Sequence, residues 1–200
     1  MPQREEYNKL LARLDGLQSS GGGLVAIDGR CGSGKSTLAR ELARHCGGMV
    51  VHMDDFYLPP ERRREDWMEQ VGGNMDFGRL RRQLLTPLKA GEQGVYQPYL
   101  CRTGEYGAQA VLIPGSLLIL EGSYSHHPAL ETKFDLKIFL TCSPQVQQRR
   151  LLAREGERYA RFREIWIPLE ERYFAMYGVQ AEADLVLDTG EAEKEGWNHG

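Results

Sequence analysis

Residues 29–36 read Gly-Arg-Cys-Gly-Ser-Gly-Lys-Ser and match the phosphate-binding pattern G-x-x-x-x-G-K-[ST], the Walker A motif or P-loop. Glycines let backbone N–H groups approach phosphate oxygens without an obstructing Cβ. In this pattern the lysine reaches the β- and γ-phosphates, and the following hydroxyl binds Mg²⁺. We therefore predict that ATP is bound by Gly29, Arg30, Cys31, Gly32, Ser33, Gly34, Lys35, Ser36 and Thr37.

Carboxylates follow two of the predicted strands. Asp54 and Asp55 come directly after the apolar segment 49–53, and Glu121 ends the apolar segment 117–120. The carboxyl ends of parallel strands are where α/β sheets bind ligands. One of the two aspartates can face a reaction centre while the other caps the turn, although a simple polar turn is the alternative interpretation. Glu121 is a candidate ligand for magnesium or its water.

Motifs of other P-loop proteins are missing from the chain. It has no D-x-x-G and no L-S-G-G-Q, and Thr132-Lys133-Phe134-Asp135 precedes a predicted strand where N-K-x-D should follow one. Glu121 lacks the preceding aspartate of the Asp-Glu pair that is typical of ATPase motors. Because no residue beside Glu121 is suited to activate a hydrolytic water, phosphoryl transfer to a bound acceptor is favoured over hydrolysis.

An arginine-rich segment spans residues 149–163 around Gly156. At helical spacing Arg150, Arg154 and Arg158 fall near one face. We predict a lid over residues 150–165, in which Arg154 and Arg158 neutralise the charge on the transferred phosphoryl group and exclude water. A solvated face paired with nearby glutamates is the alternative.

Two further clusters of polar residues receive structural interpretations. Arg62-Arg63-Arg64 is interpreted as a solvated loop. His126-His127 follows the third strand and precedes a proline, which favours a surface turn over a contact with substrate.

Strands that alternate with helices must position these residues. Short apolar runs predict buried parallel strands near residues 24–27, 49–53, 117–120, 136–140 and 184–187. Helical periodicity predicts helices near residues 3–18, 36–45, 77–89, 144–155 and 164–177. Residues 94–111 suggest a hairpin or excursion. This order predicts an α/β P-loop NTPase fold, a five-stranded parallel sheet with helices on both faces and an Arg-rich lid.

The order of five motifs resembles the uridine kinase and phosphoribulokinase family over residues 22–188. The motifs are Val25-Ala26-Ile27-Asp28-Gly29 before the P-loop, Asp54-Asp55-Phe56-Tyr57 (D-x-F-Y), Asn74-Met75-Asp76 (N-F-D), Pro98-Tyr99, and Glu121-Gly122. The resemblance implies an ATP-dependent, Mg²⁺-requiring kinase that phosphorylates a hydroxyl of a small molecule, most simply a nucleoside.

The resemblance also implies roles for individual residues. Asp54 matches the catalytic base and, with Ser36 and Glu121, the magnesium side of the site. Asp76 matches a carboxylate that holds ribose hydroxyls, and Tyr57 and Tyr99 match aromatic residues that line the acceptor pocket.

The chain departs from the family pattern next to the pocket tyrosine. Leu100 replaces a common aspartate, and Cys101-Arg102-Thr103-Gly104 stands where a base-contacting histidine is expected. These differences weaken the expectation that the acceptor is uridine or cytidine. Arg102 would suit an anionic group, so pantothenate, glycerate or a sugar-type acceptor is the alternative. A nucleotide-binding regulatory module without catalysis is a third hypothesis.

Length and composition predict a single domain over residues 1–200. Within it we predict an N-terminal helix over 1–20 and a flexible tail over 189–200. The net charge of −3 argues against nucleic acid as a partner. No apolar stretch is long enough for a membrane helix, and the polar N-terminus predicts a cytoplasmic protein. The four cysteines form no C-x-x-C pair and are expected to be free thiols. The oligomeric state stays open, a homo-oligomer included.

Overall fold

The computed structural model of the chain describes residues 2–190, with side chains from residue 5 onward. Most of the predicted tail, residues 191–200, lies outside the described residues. The strands in this part of the chain are β1 (Gly23–Gly29), β2 (Met49–His52), β3 (Gly94–Tyr96), β4 (Tyr99–Leu100), β5 (Glu105–Tyr106), β6 (Ala110–Leu112), β7 (Leu117–Glu121), β8 (Leu136–Thr141) and β9 (Leu185–Asp188).

A five-stranded parallel sheet forms the centre of the molecule, in the order β2-β7-β1-β8-β9. All five predicted strands are confirmed, with bounds that shift by one or two residues. The sheet strands β1 and β7 are apolar along most of their length because both faces are covered, as is usual for parallel sheets. Ile27 and His52 each lie beside Glu121, so the carboxyl ends of β1, β2 and β7 meet at one edge.

The helices are α1 (Pro2–Ser19), α2 (Lys35–Cys46), α3 (Phe77–Leu80), α4 (Thr86–Lys89), α5 (Pro144–Glu155), α6 (Tyr159–Arg161) and α7 (Ile167–Tyr177). A π-helical segment, Arg81–Leu85, joins α3 to α4, so the helix predicted over 77–89 is confirmed as one interrupted element. A second π-helical segment, Phe162–Trp166, leads into α7. No helix within residues 2–190 has the length and apolar character that crossing a membrane requires.

Two apolar cores lie on opposite faces of the sheet. One face packs against α1 and α2, through residues such as Leu14 and Leu42. The other face packs against α3 and α7, through residues such as Leu80 and Tyr173. Alternate residues of β1 enter the two cores, because successive side chains of a strand point to opposite faces. The predicted fold class, an α/β P-loop fold with helices on both faces, is confirmed.

The predicted excursion over residues 94–111 is a pair of small antiparallel ladders. β3 pairs with β6, and β4 pairs with β5 within the loop between them. The rings of Tyr99 and Tyr106 meet edge to face across the β4–β5 pair, with centroids 5.6 Å apart. Within this unit β4 contacts the turn that follows β2, residues Met53–Phe56.

Candidate functional site

The P-loop connects the end of β1 to the start of α2. Gly29 has φ of 133°, and a Cβ at this position would lie 2.0 Å from the carbonyl oxygen of Leu140 on β8. Only glycine fits this position, because the loop turns directly against the neighbouring strand. Lys35 is 9% exposed, and its Nζ donates to the carbonyl oxygens of Gly29 at 2.7 Å and Arg30 at 3.1 Å. The loop is therefore closed around the lysine ammonium.

A cavity of about 1260 Å³ opens over the P-loop at the carboxyl ends of the strands. Six of the nine predicted nucleotide-binding residues line it, namely Cys31, Gly32, Gly34, Lys35, Ser36 and Thr37. Gly29 supports the site by accepting from Lys35. Ser33 is fully buried and lies outside the lining.

Arg30 points away from this cavity. Its Nε and Nη2 donate to the two carboxylate oxygens of Glu171 on α7 at 2.6 Å and 3.0 Å, and its Nη1 donates to Oγ1 of Thr141 at 2.6 Å. Arg30 thus joins the P-loop to α7 and β8 through its side chain.

The two adjacent aspartates after β2 face different surroundings. Both lie in a 3₁₀ turn, Met53–Phe56, in which Asp54 lines the cavity. Asp55 accepts a hydrogen bond from the hydroxyl of Tyr96 at 3.0 Å. The turn therefore directs one carboxylate toward the P-loop cavity and uses the other to bind β3.

Asp54 is accessible from the cavity but is surrounded by its walls. Because these walls displace bulk water, the pKa of Asp54 is raised above its ordinary value, and the nearby Glu121 carboxylate raises it further. A hydrogen bond with the hydroxyl of Tyr57 opposes this shift. Tyr57 also lines the cavity, so an acceptor group would meet Asp54 and Tyr57 together.

Glu121 ends β7 and is 4% exposed, yet it lines the same cavity. Its Oε1 is hydrogen-bonded to Nδ1 of His52, the last residue of β2. This hydrogen bond is the main reason that the pKa of His52 is raised, although burial opposes it. The pairing fixes the Glu121 carboxylate at the edge of the site.

The oxygen ligands for Mg²⁺ predicted from the sequence lie around one cavity. The Ser36 hydroxyl and the carboxylates of Asp54 and Glu121 all line it. Within residues 2–190 no group of three or more His, Cys, Asp or Glu side chains could hold a metal ion by itself. Mg²⁺ is typically bound by one or two carboxylates together with substrate phosphates and waters, so the residues present fit this ion.

The arginine-rich segment only partly follows the predicted helical face. Arg154 and Arg158 line the cavity and both pair with Glu155, at 2.8 Å and 3.3 Å. The helix α5 ends at Glu155, so the face does not continue to Arg158 as expected. Arg150 instead donates to the carbonyl oxygens of Gly32 at 3.3 Å and Thr189 at 2.9 Å. Arg150 therefore braces the P-loop from behind.

Three predicted acceptor-binding residues do not line the cavity in the described part of the chain. Oδ1 of Asp76 accepts from the backbone N–H of Arg79 at 2.8 Å and caps α3. Tyr99 is 5% exposed and packs on Tyr106. Arg102 lies exposed in the turn between β4 and β5. Their roles in binding stay predictions.

The predicted surface turn at His126-His127 is wrong, because these residues are only 8% and 7% exposed. The backbone N–H of His126 donates to Asp28 at 2.9 Å, and the His127 ring stacks on Phe77 with centroids 4.4 Å apart. Burial lowers the pKa of His127 to about 4. His127 packs between α3 and α7, His126 is hydrogen-bonded to β1, and neither lines the cavity.

Glu170 also lines the cavity and was not predicted as a site residue from the sequence. It belongs to α7 and is 6% exposed, and its Oε2 accepts from the backbone N–H of Cys31 in the P-loop at 2.9 Å. Its Oε1 accepts from the hydroxyl of Ser123, which follows β7. Burial raises the pKa of Glu170, while Lys35 opposes the shift. No motif around Glu170 distinguishes it from the exposed glutamates of the chain.

Arg63, Asn74 and Cys101 line the same cavity as Asp54. The interpretation of Arg62-Arg63-Arg64 as a solvated loop is therefore wrong for Arg63. Asn74 belongs to the N-F-D-like motif, where the resemblance drew attention to Asp76 instead. Three of the free cysteines are buried, and Cys101 is the exposed one among the described residues.

The family model described as an AAA domain matches residues 25–167, which include the P-loop, Asp54 and Glu121. The chain belongs to the AAA domain family of P-loop proteins. Within this AAA domain β7 ends in Leu120-Glu121, so the Asp-Glu pair of ATPase motors is absent. The matched region covers most of the sheet and ends as α7 begins.

The solved structures similar to this AAA domain include kinases. It superimposes with a TM-score of 0.64 on a possible uridine kinase from Bacillus stearothermophilus, at 25% identity over 90% of this chain and 100% of that one. It also superimposes with a TM-score of 0.65 on a candidate fructose transport system kinase from Silicibacter sp. TM1040, at 26% identity over 83% and 89% of the two chains.

A curated relative of the AAA domain is a cytidylate kinase from Pyrobaculum arsenaticum, which is 27% identical over 174 residues, or 83% of each chain. Together with the solved structures, this relative confirms the predicted resemblance to P-loop kinases of the uridine kinase type. The structure and the comparisons thus agree on a nucleotide-binding P-loop kinase fold.

Proposed function

We propose that this protein is an ATP-dependent, Mg²⁺-requiring phosphotransferase that moves the γ-phosphoryl group of ATP to a hydroxyl of a small molecule. The observation that carries the proposal is that Asp54 lines the same cavity as Lys35 and Ser36 of the P-loop. A carboxylate facing the phosphate cradle is what a kinase needs to orient an acceptor hydroxyl.

The residues of the cavity have complementary tasks in this reaction. Asp54 accepts the proton of the acceptor hydroxyl as its oxygen bonds to the γ-phosphorus, and the bond from that phosphorus to the β-γ bridging oxygen breaks to release ADP. Lys35, Arg154 and Arg158 lie around the cavity and would neutralise the charge on the transferred group. Mg²⁺, held by Ser36, Asp54 and Glu121, would supply charge neutralisation of the phosphate oxygens.

The P-loop and α7 form one hydrogen-bonded unit behind the reacting groups. Tyr173 and Glu170 of α7 contact Asp28 and Cys31 on either side of Gly29. The segment 150–165, which we propose as the lid, leads directly into this helix. Closure of the lid would therefore be transmitted through α7 to the P-loop. The closed lid would also exclude water as the acceptor binds.

Two classes of molecule are candidates for the acceptor. A nucleoside-like acceptor follows from the resemblance, and the solved relatives are described as a possible uridine kinase and a candidate fructose transport system kinase. A non-nucleoside acceptor of the pantothenate, glycerate or sugar type is the second candidate. It is favoured by the position of Asp76 and Tyr99, which lie outside the cavity lining.

A coupled assay of ADP formation, with a panel of nucleosides, sugars and hydroxy acids, tests the proposal. We expect a phosphorylated product with one of these acceptors and Mg²⁺, and loss of turnover in Lys35→Ala and Asp54→Asn. Mass spectrometry of the product identifies the phosphorylated group. Near-full turnover in Asp54→Asn contradicts the assigned base, and ATP binding without any product across the panel favours a regulatory module.

A further inference from the structure

Arg63 is a cation on the acceptor side of the cavity that no family motif includes. It follows the turn that carries Asp54 and lines the cavity together with Asn74 and Cys101. Its two neighbours behave differently. Arg64 is a surface residue that pairs with Asp66 at 3.0 Å, and Arg62 is also mostly exposed, 3.9 Å from Asp76. Within this triplet, Arg63 is the one placed at the cavity.

The Arg63 guanidinium is held in position by two contacts. Its Nε donates to the carbonyl oxygen of Leu58 at 2.9 Å, and its Cζ lies 5.2 Å from the centroid of the Trp67 ring. The ring of Trp67 in turn lies 5.9 Å from that of Trp166, which precedes α7. An arginine whose Nε is fixed and whose plane lies over an aromatic ring is preorganised to bind an anion through its two terminal nitrogens.

Arg63 and Asp54 line the same cavity, together with Cys101. The backbone of Leu58 accepts from Arg63 and donates to the carbonyl oxygen of Asn74 at 2.8 Å, and the preceding residue, Tyr57, lines the cavity with Asp54. A molecule bound in this cavity beside Asp54 can therefore reach Arg63. The phosphates of ATP have their own cations, Lys35 and the lid arginines, along the rest of the lining.

Asn74 adds an unpartnered polar group at this end of the cavity. It is 2% exposed, and within the described residues its Nδ2 has no hydrogen-bond partner. Buried polar groups are nearly always paired in folded proteins. A bound molecule with a hydrogen-bond acceptor would satisfy this amide as it binds Arg63.

We propose that the acceptor is a hydroxylated small molecule that carries a carboxylate or phosphate group, and that Arg63 binds this group while Asp54 faces the hydroxyl. The proposal rests on the phosphotransferase function proposed above and adds the chemical class of the acceptor. Arg63 determines specificity and takes no part in bond making.

The test compares acceptors that differ only in the anionic group: glycerol with glycerate, pantothenol with pantothenate, and fructose with fructose 6-phosphate. The wild-type protein should prefer the anionic member of a pair. The first two pairs report a preference for carboxylate, and the third reports a preference for phosphate.

Variants at Arg63 separate binding of the anion from general damage. In Arg63→Ala, KM for the anionic acceptor should rise by roughly 10- to 100-fold, as expected for loss of a charge-assisted hydrogen bond. KM for ATP and KM for the neutral partner molecule should stay within about threefold. Arg63→Lys should recover part of the loss, and Arg64→Ala should match the wild type because its side chain is 74% exposed.

Two results would overturn this proposal while leaving the phosphotransferase function intact. One is a wild-type preference for neutral acceptors or uridine over every anionic molecule. The other is an Arg63→Ala variant that loses the same factor on both members of a pair, or that loses affinity for ATP instead. Failure to phosphorylate any acceptor, with ATP binding retained, would instead refute the function on which the proposal depends.

Discussion

Glu170 offers the sharpest test of how the P-loop is supported. Replacing it with alanine removes two hydrogen bonds to a buried carboxylate, from the Cys31 N–H and the Ser123 hydroxyl. Removal leaves the Cys31 N–H without a partner, which costs about 1–3 kcal/mol for a buried donor. Burying the charged carboxylate is unfavourable, which is why burial raises the pKa of Glu170. The alanine variant no longer buries this charge, and this gain offsets part of the loss of the hydrogen bond from Ser123. We expect a net loss of about 2–3 kcal/mol in the free energy of unfolding.

Glutamine at position 170 separates the hydrogen bonds from the charge. Its side-chain oxygen still accepts from Cys31, and the unfavourable burial of a charge disappears. The free energy of unfolding of Glu170→Gln should therefore lie within about 1 kcal/mol of the wild type. Glu171→Ala is the matched control, because the Glu171 side chain is 43% exposed and its pairing with Arg30 is worth about 1 kcal/mol or less.

Urea denaturation followed by circular dichroism measures these differences, and thermal unfolding supports them. For a chain of this size the alanine variant should lose roughly 4–12 °C in Tm. Equal losses of free energy in Glu170→Ala and Glu170→Gln would contradict this role of Glu170, as would Glu171→Ala being the least stable of the three.

Two further predictions concern the lid and the buried histidine. Arg154→Ala should lower kcat by roughly 100-fold with KM for ATP changed by less than about threefold, since the arginine acts mainly on charge in the transition state. Arg163→Ala is the control, because Arg163 pairs with Glu164. Equal losses in kcat and ATP affinity in Arg154→Ala would contradict the lid role. His127 has a folded-state pKa of about 4, below its unfolded value, so the unfolded state binds more protons between pH 6.5 and 4 and stability falls as the pH falls. His127→Phe keeps the stacking on Phe77. Between pH 7 and 4 its free energy of unfolding, measured by urea denaturation at each pH, should fall by on the order of 3 kcal/mol less than that of the wild type. Parallel pH profiles for the two proteins would contradict the low pKa of His127.

Much of the fold could be predicted from local sequence patterns. The five apolar runs of the sheet are short, continuous and separated by helical segments, which is the pattern of a parallel sheet buried on both faces. The Walker A motif placed the nucleotide loop because its glycines and lysine are consecutive in the chain. The end of α5 at Glu155 agrees with the helix predicted over residues 144–155, but the helical face that was expected to include Arg158 stops there.

Side-chain direction was harder to predict than backbone position. Asp54 and Asp55 are chemically identical neighbours, and only the 3₁₀ turn after β2 decides which of them faces the cavity. His126 and His127 resemble a polar turn in the sequence, but His126 is hydrogen-bonded to β1 and His127 packs between α3 and α7. In each case the deciding contact comes from a distant segment, so no local pattern could contain it.

The sequence by itself determined that this protein has a phosphate-binding loop between a buried strand and a helix, with carboxylates at the ends of two more strands of the same sheet. These features depend on consecutive residues and on apolar periodicity, which are local properties. Only the tertiary structure decided that Glu170 contacts Cys31 across 139 positions, and that Arg63 lines the cavity while Arg64 lies at the surface. Such contacts arise because packing brings α7 and the loop after β2 against the P-loop cavity, and packing between distant segments leaves no short motif in the chain.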